Sequence, residues 1–315
     1  MSRIKASDVA ELEAAATALR DGAPLAMPTE TVYGLAADAR NPAAVSAVYT
    51  LKSRPRFNPL IAHVANMEAA LRQGRFTPQA RDLAEAFWPG PLTLIVPAAA
   101  GCDVCDLARA GLDSVALRVP AHPVALALLT ACDFPLAAPS ANRSGRISPT
   151  TSAHVLEEFP SGLFAILEGG PCRIGIESTI LRCDEQGIAL LRPGAITRDR
   201  IEALIGPLSV QPAGTRIDAP GQLASHYAPR AALRLDAREA IPGEAHLGFG
   251  VIEGDLNLSP SGDMAQASAN LFGYLRALDA RGPAVIAVAP IPETGLGEAI
   301  VDRLRRAAAP RLPDQ

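Results

Sequence analysis

The sequence predicts an α/β protein of two domains joined by a linker. Short apolar runs alternate with helical patterns along most of the chain, as in sheets whose strands are connected by helices. The 315 residues are enough for two domains, since a domain usually has ~100–200 residues. Between residues 207 and 230 the periodicity disappears and Pro, Gly, Ala and Ser prevail. We therefore predict a larger α/β domain at 1–206, a linker at 207–230 and a smaller, Rossmann-like α/β domain at 231–315.

Capping residues predict where the helices begin. Asn41 is a favourable N-cap, and Pro42 after it fits the first helical position, where a missing N–H costs nothing. The helix that follows places Val45, Val48 and Tyr49 on its inward face. The other predicted helices begin near residues 9, 67, 78 and 198, and those of the second domain cover residues 264–278 and 296–308.

Apolar runs bounded by turn residues predict the strands. The strand at residues 25–27 delivers Thr29, Glu30 and Thr31 at its C-terminal end, where ligands of α/β sheets commonly bind. Side chains alternate at residues 114–119, so Ser114 and Arg118 share the polar face. The other predicted strands are 60–64, 92–96, 136–138, one starting near 175, one ending near 192, and 232–235, 246–250 and 284–289.

Composition excludes several classes of protein. The net charge of −4 argues against a general nucleic-acid or membrane-surface binder, and no apolar run approaches the ~20 residues of a membrane span. Five cysteines, an odd number in a long chain, favour reduced thiols and a cytoplasmic location. Cys102 and Cys105 form a C-x-x-C pair without a second pair or a nearby histidine, so we predict no protein-bound metal.

A cluster of basic residues follows the helix that begins at Pro42. Lys52, Arg54 and Arg56 fall within five residues, and such a cluster suits a polyanion such as a polyphosphate. The chain has only two lysines, so 27 of its 29 basic residues are arginine. A lysine at position 52 therefore favours a compact point charge on a phosphate. The alternative is a solvated basic loop.

Other polar residues fall at strand ends or in the adjoining loops. Such a set suits nucleotide chemistry that depends on positioning and electrostatics, without a covalent intermediate. Each residue also has a structural interpretation; for example, a strand histidine is often a satisfied core residue. The set comprises the cations Lys52, Arg54, Arg118 and Arg192, the hydroxyls Thr31, Ser114, Ser140, Ser148 and Ser178, and His63.

Seven sequence motifs in one order resemble the YrdC-like family of threonylcarbamoyl-AMP synthases. They are PTETVYGL, KSRPRFNPLIAH, WPGPLT, SVALRVP, APSANRSG, GIESTI and LRPG, and they fall within residues 23–194. The linker and the C-terminal sequence GLGEAIVDRLRRAA resemble the two-domain branch of that family. The resemblance implies an open, twisted α/β catalytic domain with a large positive cavity.

The resemblance also implies a reaction. It converts L-threonine, bicarbonate and ATP, with Mg²⁺, into threonylcarbamoyl-AMP and pyrophosphate, and a separate complex transfers the threonylcarbamoyl group to tRNA. Lys52 and Arg54 are expected to act on the phosphates during catalysis. The nucleotide is expected on Lys52, Arg54, Asn58, Ser114, Ala138, Ser140, Ser148 and Arg192, with Tyr227 covering it from the linker, and threonine near Thr31, His63, Arg118 and Ser178.

Two other functions fit parts of the sequence. An RNA-binding module would use a concave positive face of the same fold, but 4% aromatic residues leave little for base stacking. A carbamoyl-adenylate-forming domain of the hydrogenase-maturation type has a similar architecture, but it is expected with acylphosphatase and zinc-finger segments, which the sequence lacks. Direct binding of tRNA by this chain is an open question at this stage.

Overall fold

The computed structural model describes residues 2–5, 9–209 and 225–310. Its strands are β1 (Ser2–Lys5), β2 (Leu25–Met27), β3 (Gly34–Asp38), β4 (Ile61–His63), β5 (Leu92–Pro97), β6 (Ser114–Arg118), β7 (Leu136–Ala137), β8 (Ala165–Glu168), β9 (Thr179–Asp184), β10 (Gly187–Arg192), β11 (Ala232–Arg234), β12 (Ala245–Gly248), β13 (Leu256–Asn257) and β14 (Val285–Val288). Its helices are α1 (Val9–Arg20), α2 (Pro42–Lys52), α3 (Met67–Gln73), α4 (Pro78–Phe87), α5 (Asp106–Arg109), α6 (Pro123–Cys132), α7 (Ser152–Glu158), α8 (Arg198–Ile205), α9 (Met264–Ala280) and α10 (Leu296–Ala308).

The N-terminal part contains a mixed sheet with the strand order β1-β8-β2-β3-β7-β4-β6-β5-β9-β10. Strands β4 and β6 are parallel, and their register places His63 opposite Arg118. Because β4 and β6 both end at these residues, the two side chains meet at the carboxyl end of the strand pair, where α/β sheets commonly bind ligands.

The C-terminal part has its own sheet, in the order β11-β14-β12-β13, and all of its pairs are parallel. A parallel sheet needs both faces covered. Helices α9 and α10 supply buried apolar residues to its core, among them Leu271, Phe272 and Ile300. The predicted fold class, an α/β catalytic domain with a smaller α/β domain, is confirmed.

The two parts share a hydrophobic core. Val32, Ile147 and Ile176 from the N-terminal part pack in the same cluster as the core of α9 and α10. Ser268 of α9 also donates a hydrogen bond to the Ile174 carbonyl, at 2.7 Å. The C-terminal part is therefore packed directly against loops of the N-terminal part.

Local sequence signals explain several of these elements. The side chain of Asn41 accepts hydrogen bonds from Ala43 and Ala44 at the start of α2, as its N-cap position predicts. Strand β3 is not predicted, because all five of its residues are buried and no alternation marks it. The predicted linker at 207–230 falls partly on residues 210–224, which lie outside the described residues. Among the helices that the structure describes, none has the length and apolar character to cross a membrane.

Candidate active site

A small cavity lies where the carboxyl ends of the central strands meet the C-terminal part. Its free volume is about 50 Å³, whereas sites for ligands of drug size or larger have ~300–1,000 Å³. It is lined by nine of the predicted site residues, namely Thr31, Arg54, His63, Arg118, Ala138, Ser140, Ser178, Arg192 and Tyr227, and by Thr29, Val32, Gly34, Ile61, Pro139, Glu177 and His226. The structure therefore brings most of the predicted set together.

Lys52 is buried beside this cavity at the C-terminal end of α2. Its Nζ donates hydrogen bonds to the backbone carbonyls of Ser140 and Asn142. Ser53, which follows it, has the left-handed backbone conformation with φ 51° and ends the helix. Burial, with Arg54 nearby, holds the pKa of Lys52 well below its usual value. A bound anion would favour the charged form of this amine and reverse that shift.

Arg54 is held by the loop that follows it. Its Nη2 donates to Asn58 Oδ1 at 2.7 Å and to the Pro59 carbonyl at 2.9 Å. Burial lowers the pKa of Arg54 to about 10. Asn58 thus acts on the cavity through Arg54. Arg56, the third cation of the sequence cluster, is exposed, so only two members of the cluster are directed inward.

Arg118 and Glu30 form a buried ion pair at the other end of the cavity. Arg118 Nη2 lies 2.6 Å from Glu30 Oε1, and both side chains are 4% exposed. The second oxygen of Glu30 accepts a hydrogen bond from the Ala121 N–H at 3.1 Å. The carboxylate therefore fixes the guanidinium in a position from which it can meet a second carboxylate in the cavity.

His63 lies beside Arg118 and is neutral at ordinary pH. Burial, reinforced by the positive charge of Arg118, lowers the pKa of His63 to about 3. Its Nδ1 has no hydrogen-bond partner among the described residues. A neutral ring with an unpaired, buried nitrogen can hydrogen-bond a ligand without adding a charge.

Ser178 joins the two ends of the cavity. Arg192 donates to the Ser178 carbonyl at 3.0 Å and to its Oγ at 3.1 Å. The hydroxyls of Ser178 and Thr93 are also within hydrogen-bonding distance, 2.8 Å apart. The residue predicted for threonine and the cation predicted for the nucleotide are therefore in direct contact.

Glu177 connects the cavity to the C-terminal part. One of its oxygens accepts a hydrogen bond from Ser148 Oγ, and the other accepts from Arg303 Nε of α10 at 2.9 Å. Burial raises the pKa of Glu177, but Arg303 and Arg192 outweigh this effect and lower it. Glu177 is therefore ionised, and Ser148 uses its one proton on it; Ser148 is fully buried and is not among the described residues that line the cavity.

His226 and Tyr227 close the cavity from the C-terminal side. Tyr227 has φ 63°, which is rare for a residue other than glycine. Its ring stacks on Phe272 with centroids 5.5 Å apart, and the guanidinium of Arg303 lies 5.4 Å from its centroid. Tyr227 is 1% exposed, yet its hydroxyl has no partner among the described residues.

Burial also keeps the neighbouring His226 neutral. It lowers the pKa of His226 to about 3, and the positive charges of Arg54 and Lys52 act in the same direction. Its Nδ1 has no hydrogen-bond partner among the described residues. The closing segment thus brings two buried polar groups, this nitrogen and the Tyr227 hydroxyl, without partners to the cavity.

Ser114, one of the predicted nucleotide contacts, is not among the described residues that line the cavity. It is half-buried at the start of β6, whereas Arg118 ends the same strand. Four residues of extended chain cover roughly 13 Å. Ser114 and Arg118 nevertheless face the same side of the sheet.

Two charged residues at the site, Glu177 and Arg303, are not predicted from the sequence, and Glu30 is predicted only as a residue at a ligand-binding strand end, without a role. Glu177 and Glu30 lie inside the motifs GIESTI and PTETVYGL, and Arg303 lies in α10. A signal for the carboxylates exists, because a set of buried cations needs anionic partners. Helical spacing places Arg303 on the apolar face of α10 with Ile300 and Leu304, whereas Arg305 and Arg306 lie off that face, so this periodicity is the signal that could have found it.

The cavity does not offer a protein cage for a metal. In the part of the chain that the structure describes, no group of three or more His, Cys, Asp or Glu side chains is placed to hold an ion. The one carboxylate among the described lining residues, Glu177, is already bonded to Ser148 and Arg303. A divalent ion would therefore be bound by the phosphates of a substrate rather than by side chains of the protein.

Comparison with known families identifies the family of the chain. The family model Sua5_yciO_yrdC, described as telomere recombination, matches residues 17–194, and the model of the threonylcarbamoyl-AMP synthase C-terminal domain matches residues 196–309. The chain belongs to the Sua5/YrdC family of threonylcarbamoyl-AMP synthases. The family resemblance predicted from the sequence is confirmed.

Relatives in this family are similar over nearly the full length. The threonylcarbamoyl-AMP synthase of Bacillus subtilis is 38% identical over 96% of this chain and 94% of its own. That of Pyrococcus abyssi is 38% identical over 96% of this chain and 95% of its own. The crystal structure of P. abyssi Sua5 complexed with L-threonine has a TM-score of 0.86 at 36% identity, covering 98% of this chain and 96% of that one.

A second structure of the P. abyssi protein is a variant in which a neighbouring histidine and tyrosine are both replaced by alanine. It has a TM-score of 0.88 at 34% identity and covers 98% of this chain and 96% of that one. Both the catalytic fold and its C-terminal partner are thus similar to those of a two-domain member of the family.

The buried Arg118–Glu30 pair makes a prediction about stability. Glu30→Ala leaves a buried guanidinium unpaired, so we expect it to lower the free energy of unfolding by about 3–5 kcal/mol. Adding Arg118→Ala should restore part of that loss, because the double variant has no uncompensated charge. Urea unfolding of the two single variants and the double variant measures this coupling.

The exposed pair Arg72–Glu68, at 3.3 Å, is the matched control. Its removal should change stability by less than about 0.5 kcal/mol. Additive losses in the Glu30 and Arg118 variants would contradict a direct buried interaction.

Proposed function

We propose that the chain forms threonylcarbamoyl-AMP and pyrophosphate from L-threonine, bicarbonate and ATP. The family of the chain implies ATP as a substrate. The observation that supports the proposal is the contact between Ser178 and Arg192, with Nη2 and Oγ 3.1 Å apart. It joins the half of the cavity assigned to threonine with the half assigned to the nucleotide.

We assign the nucleotide half to the cations and the loop around them. Lys52, Arg54 and Arg192 are buried at this end and would stabilise charge that develops on the α-phosphorus and the departing pyrophosphate. Mg²⁺ enters as the complex with ATP and neutralises the phosphates. The remaining proposed nucleotide contacts are Asn58, Ser114, Ala138, Ser140, Ser148 and Tyr227.

We assign the threonine half to Arg118, His63, Thr31 and Ser178. Arg118 is the one cation that lines this end in the described chain, and a guanidinium suits the amino-acid carboxylate. The amine must be neutral to attack, and the positive charge of Arg118 disfavours its ammonium form. His63, neutral because of its lowered pKa, accepts or donates a hydrogen bond there without opposing this effect.

The proposed chemistry takes two steps. The threonine nitrogen attacks the carbon of bicarbonate, and loss of water gives a carbamate. A carbamate oxygen then attacks the α-phosphorus, and the bond to the bridging oxygen breaks as pyrophosphate leaves. The side chains of this site hold the reactants and stabilise charge, and no covalent bond to the protein is needed.

The RNA-binding alternative has no support in the geometry. Lys52, Arg54, Arg118 and Arg192 are at most 8% exposed and lie at a cavity of about 50 Å³, so they do not form an exposed positive face for an RNA backbone. We propose that the product passes to a separate complex that transfers the threonylcarbamoyl group to tRNA. Such a complex would only need this chain to release a small molecule.

Lys52→Ala tests the proposed reaction. Purified protein with ATP, Mg²⁺ and bicarbonate should release pyrophosphate only when L-threonine is added. Loss of the Lys52 charge should lower the rate about 10²–10³-fold, as for other single contacts that stabilise transition-state charge. An assay of pyrophosphate release measures both the dependence on L-threonine and the rate of the Lys52→Ala variant.

Arg56→Ala is the matched control, since Arg56 lies in the same basic cluster but is exposed. Its rate should equal that of the wild type. Release by the wild type without threonine would point to another acceptor, and no release at all would contradict the proposal.

Tyr227 tests the proposed closure over the nucleotide. The cavity, with about 50 Å³ of free volume, is too small for ATP. We therefore infer that His226 and Tyr227 shift when ATP binds and then cover the nucleotide. Tyr227→Phe keeps the ring that stacks on Phe272 and removes the hydroxyl. Loss of one hydrogen bond to ATP should raise the KM for ATP about 3–10-fold, with an unchanged thermal midpoint. An unchanged KM would show that the hydroxyl does not contact the nucleotide.

A further inference from the structure

Arg303 of the C-terminal part lies behind the wall of the cavity, where it pairs with the lining residue Glu177. The side chain of Arg303 is 1% exposed and uses all three nitrogens. Nε donates to Glu177 at 2.9 Å, Nη1 to Asp302 at 2.6 Å, and Nη2 to the Pro193 carbonyl at 3.0 Å. Three of the five N–H donors of the guanidinium are used in these bonds, and Arg303 is not among the described residues that line the cavity, so it acts on the cavity through its partners.

Glu177 is the partner that matters for a nucleotide. It is the one carboxylate among the described residues that line the cavity. A triphosphate in the same cavity would be repelled by an uncompensated carboxylate, because low-dielectric surroundings strengthen the interaction between charges. The guanidinium of Arg303 balances that charge from outside the cavity. Arg192 also lowers the pKa of Glu177. Because Arg303 already compensates that carboxylate, Arg192 remains available to a ligand.

The same carboxylate fixes the loop that carries Ser148. Ser148 Oγ donates to Glu177, and both side chains are buried. The neighbouring Ile147 carbonyl accepts a hydrogen bond from Arg276 of α9, and Arg276 also pairs with Glu158 at 3.0 Å. Two arginines of the C-terminal part therefore hold one loop of the catalytic part.

We propose that Arg303 is a positioning residue through which the C-terminal domain sets the affinity of the catalytic domain for ATP. It neutralises Glu177, keeps that carboxylate directed at Ser148, and leaves Arg192 available for the phosphates. This inference rests on the proposed function, because it assumes that ATP occupies the cavity. It gives the C-terminal domain a role in ATP binding.

Arg303→Gln, Glu177→Gln and the double variant test the charge balance. Arg303→Gln should raise the KM for ATP about tenfold or more, with a smaller change in the KM for threonine, since the uncompensated Glu177 faces the nucleotide half. The double variant removes both charges and should return the KM for ATP to within about threefold of the wild type. Threonine-dependent pyrophosphate release measures these constants.

Glu298→Gln is the matched control. Glu298 lies on the same helix and forms another ion pair between the two parts, with Arg198 at 2.7 Å, but it contacts no cavity residue. Its KM for ATP should equal that of the wild type. Arg303→Lys keeps the charge but loses the fork of hydrogen bonds, so it should raise the KM for ATP less than Arg303→Gln does; with the double variant, it carries the test if Arg303→Gln does not fold.

The outcomes separate this inference from the proposed reaction. No threonine-dependent release by the wild type would refute the reaction itself. An active wild type with an unchanged KM for ATP in Arg303→Gln would overturn the positioning role. Equal impairment of Arg303→Gln and the double variant, in kcat and thermal midpoint, would show that Arg303 only stabilises the fold.

Discussion

The burial of several positive charges in one small space is the constraint on which this structure depends. Lys52, Arg54, Arg118 and Arg192 are all buried around a cavity of about 50 Å³. Each charge removed from water needs a partner. The protein supplies backbone carbonyls to Lys52 and Arg54, and it supplies Glu30 to Arg118. These partners hold the side chains in position before any ligand binds, which reduces the cost of ordering them during the reaction.

The same constraint also bears on how the two parts of the chain are joined. Glu177 lowers the positive charge of the cavity, and Arg303 of α10 compensates it in turn. Tyr227, held between Phe272 and Arg303, closes the same space. The C-terminal part thus contributes to the electrostatics and the shape of the site as well as to the shared hydrophobic core. A YrdC-like catalytic domain with a docked partner can exclude water more fully than an open sheet can.

The sequence predicts much of this arrangement because its signals are local. The Asn41-Pro42 start of α2 and the alternation in β6 depend on a few neighbouring residues, and both are present in the structure. Strand β3 escapes prediction because both of its faces are buried, so no period of two is visible. The cations and hydroxyls of the site can be predicted as a set, since they follow strand ends and belong to motifs in a fixed order.

The partners of that set depend on the tertiary structure. Glu30 and Arg118 are far apart in the sequence, and so are Glu177 and Arg303, and neither residue of a pair identifies the other. Arg303 lies on the apolar face of α10, where helical spacing predicts burial but does not identify the partner of a charged side chain. Its burial follows from the packing of α10 against the loop that ends β10. Such pairs become visible only when the two domains are placed together.

The most direct measurement is the identity of the product formed by the wild-type protein. NMR spectra recorded during turnover with [¹³C]bicarbonate, [¹⁵N]threonine and ATP should show a carbamate carbon coupled to both ¹⁵N and ³¹P. Such a signal places threonine, bicarbonate and the α-phosphate in one molecule, as a shared cavity for ATP and threonine requires. Consumption of ATP with no species that joins the carbon label to both nitrogen and phosphorus would contradict the account.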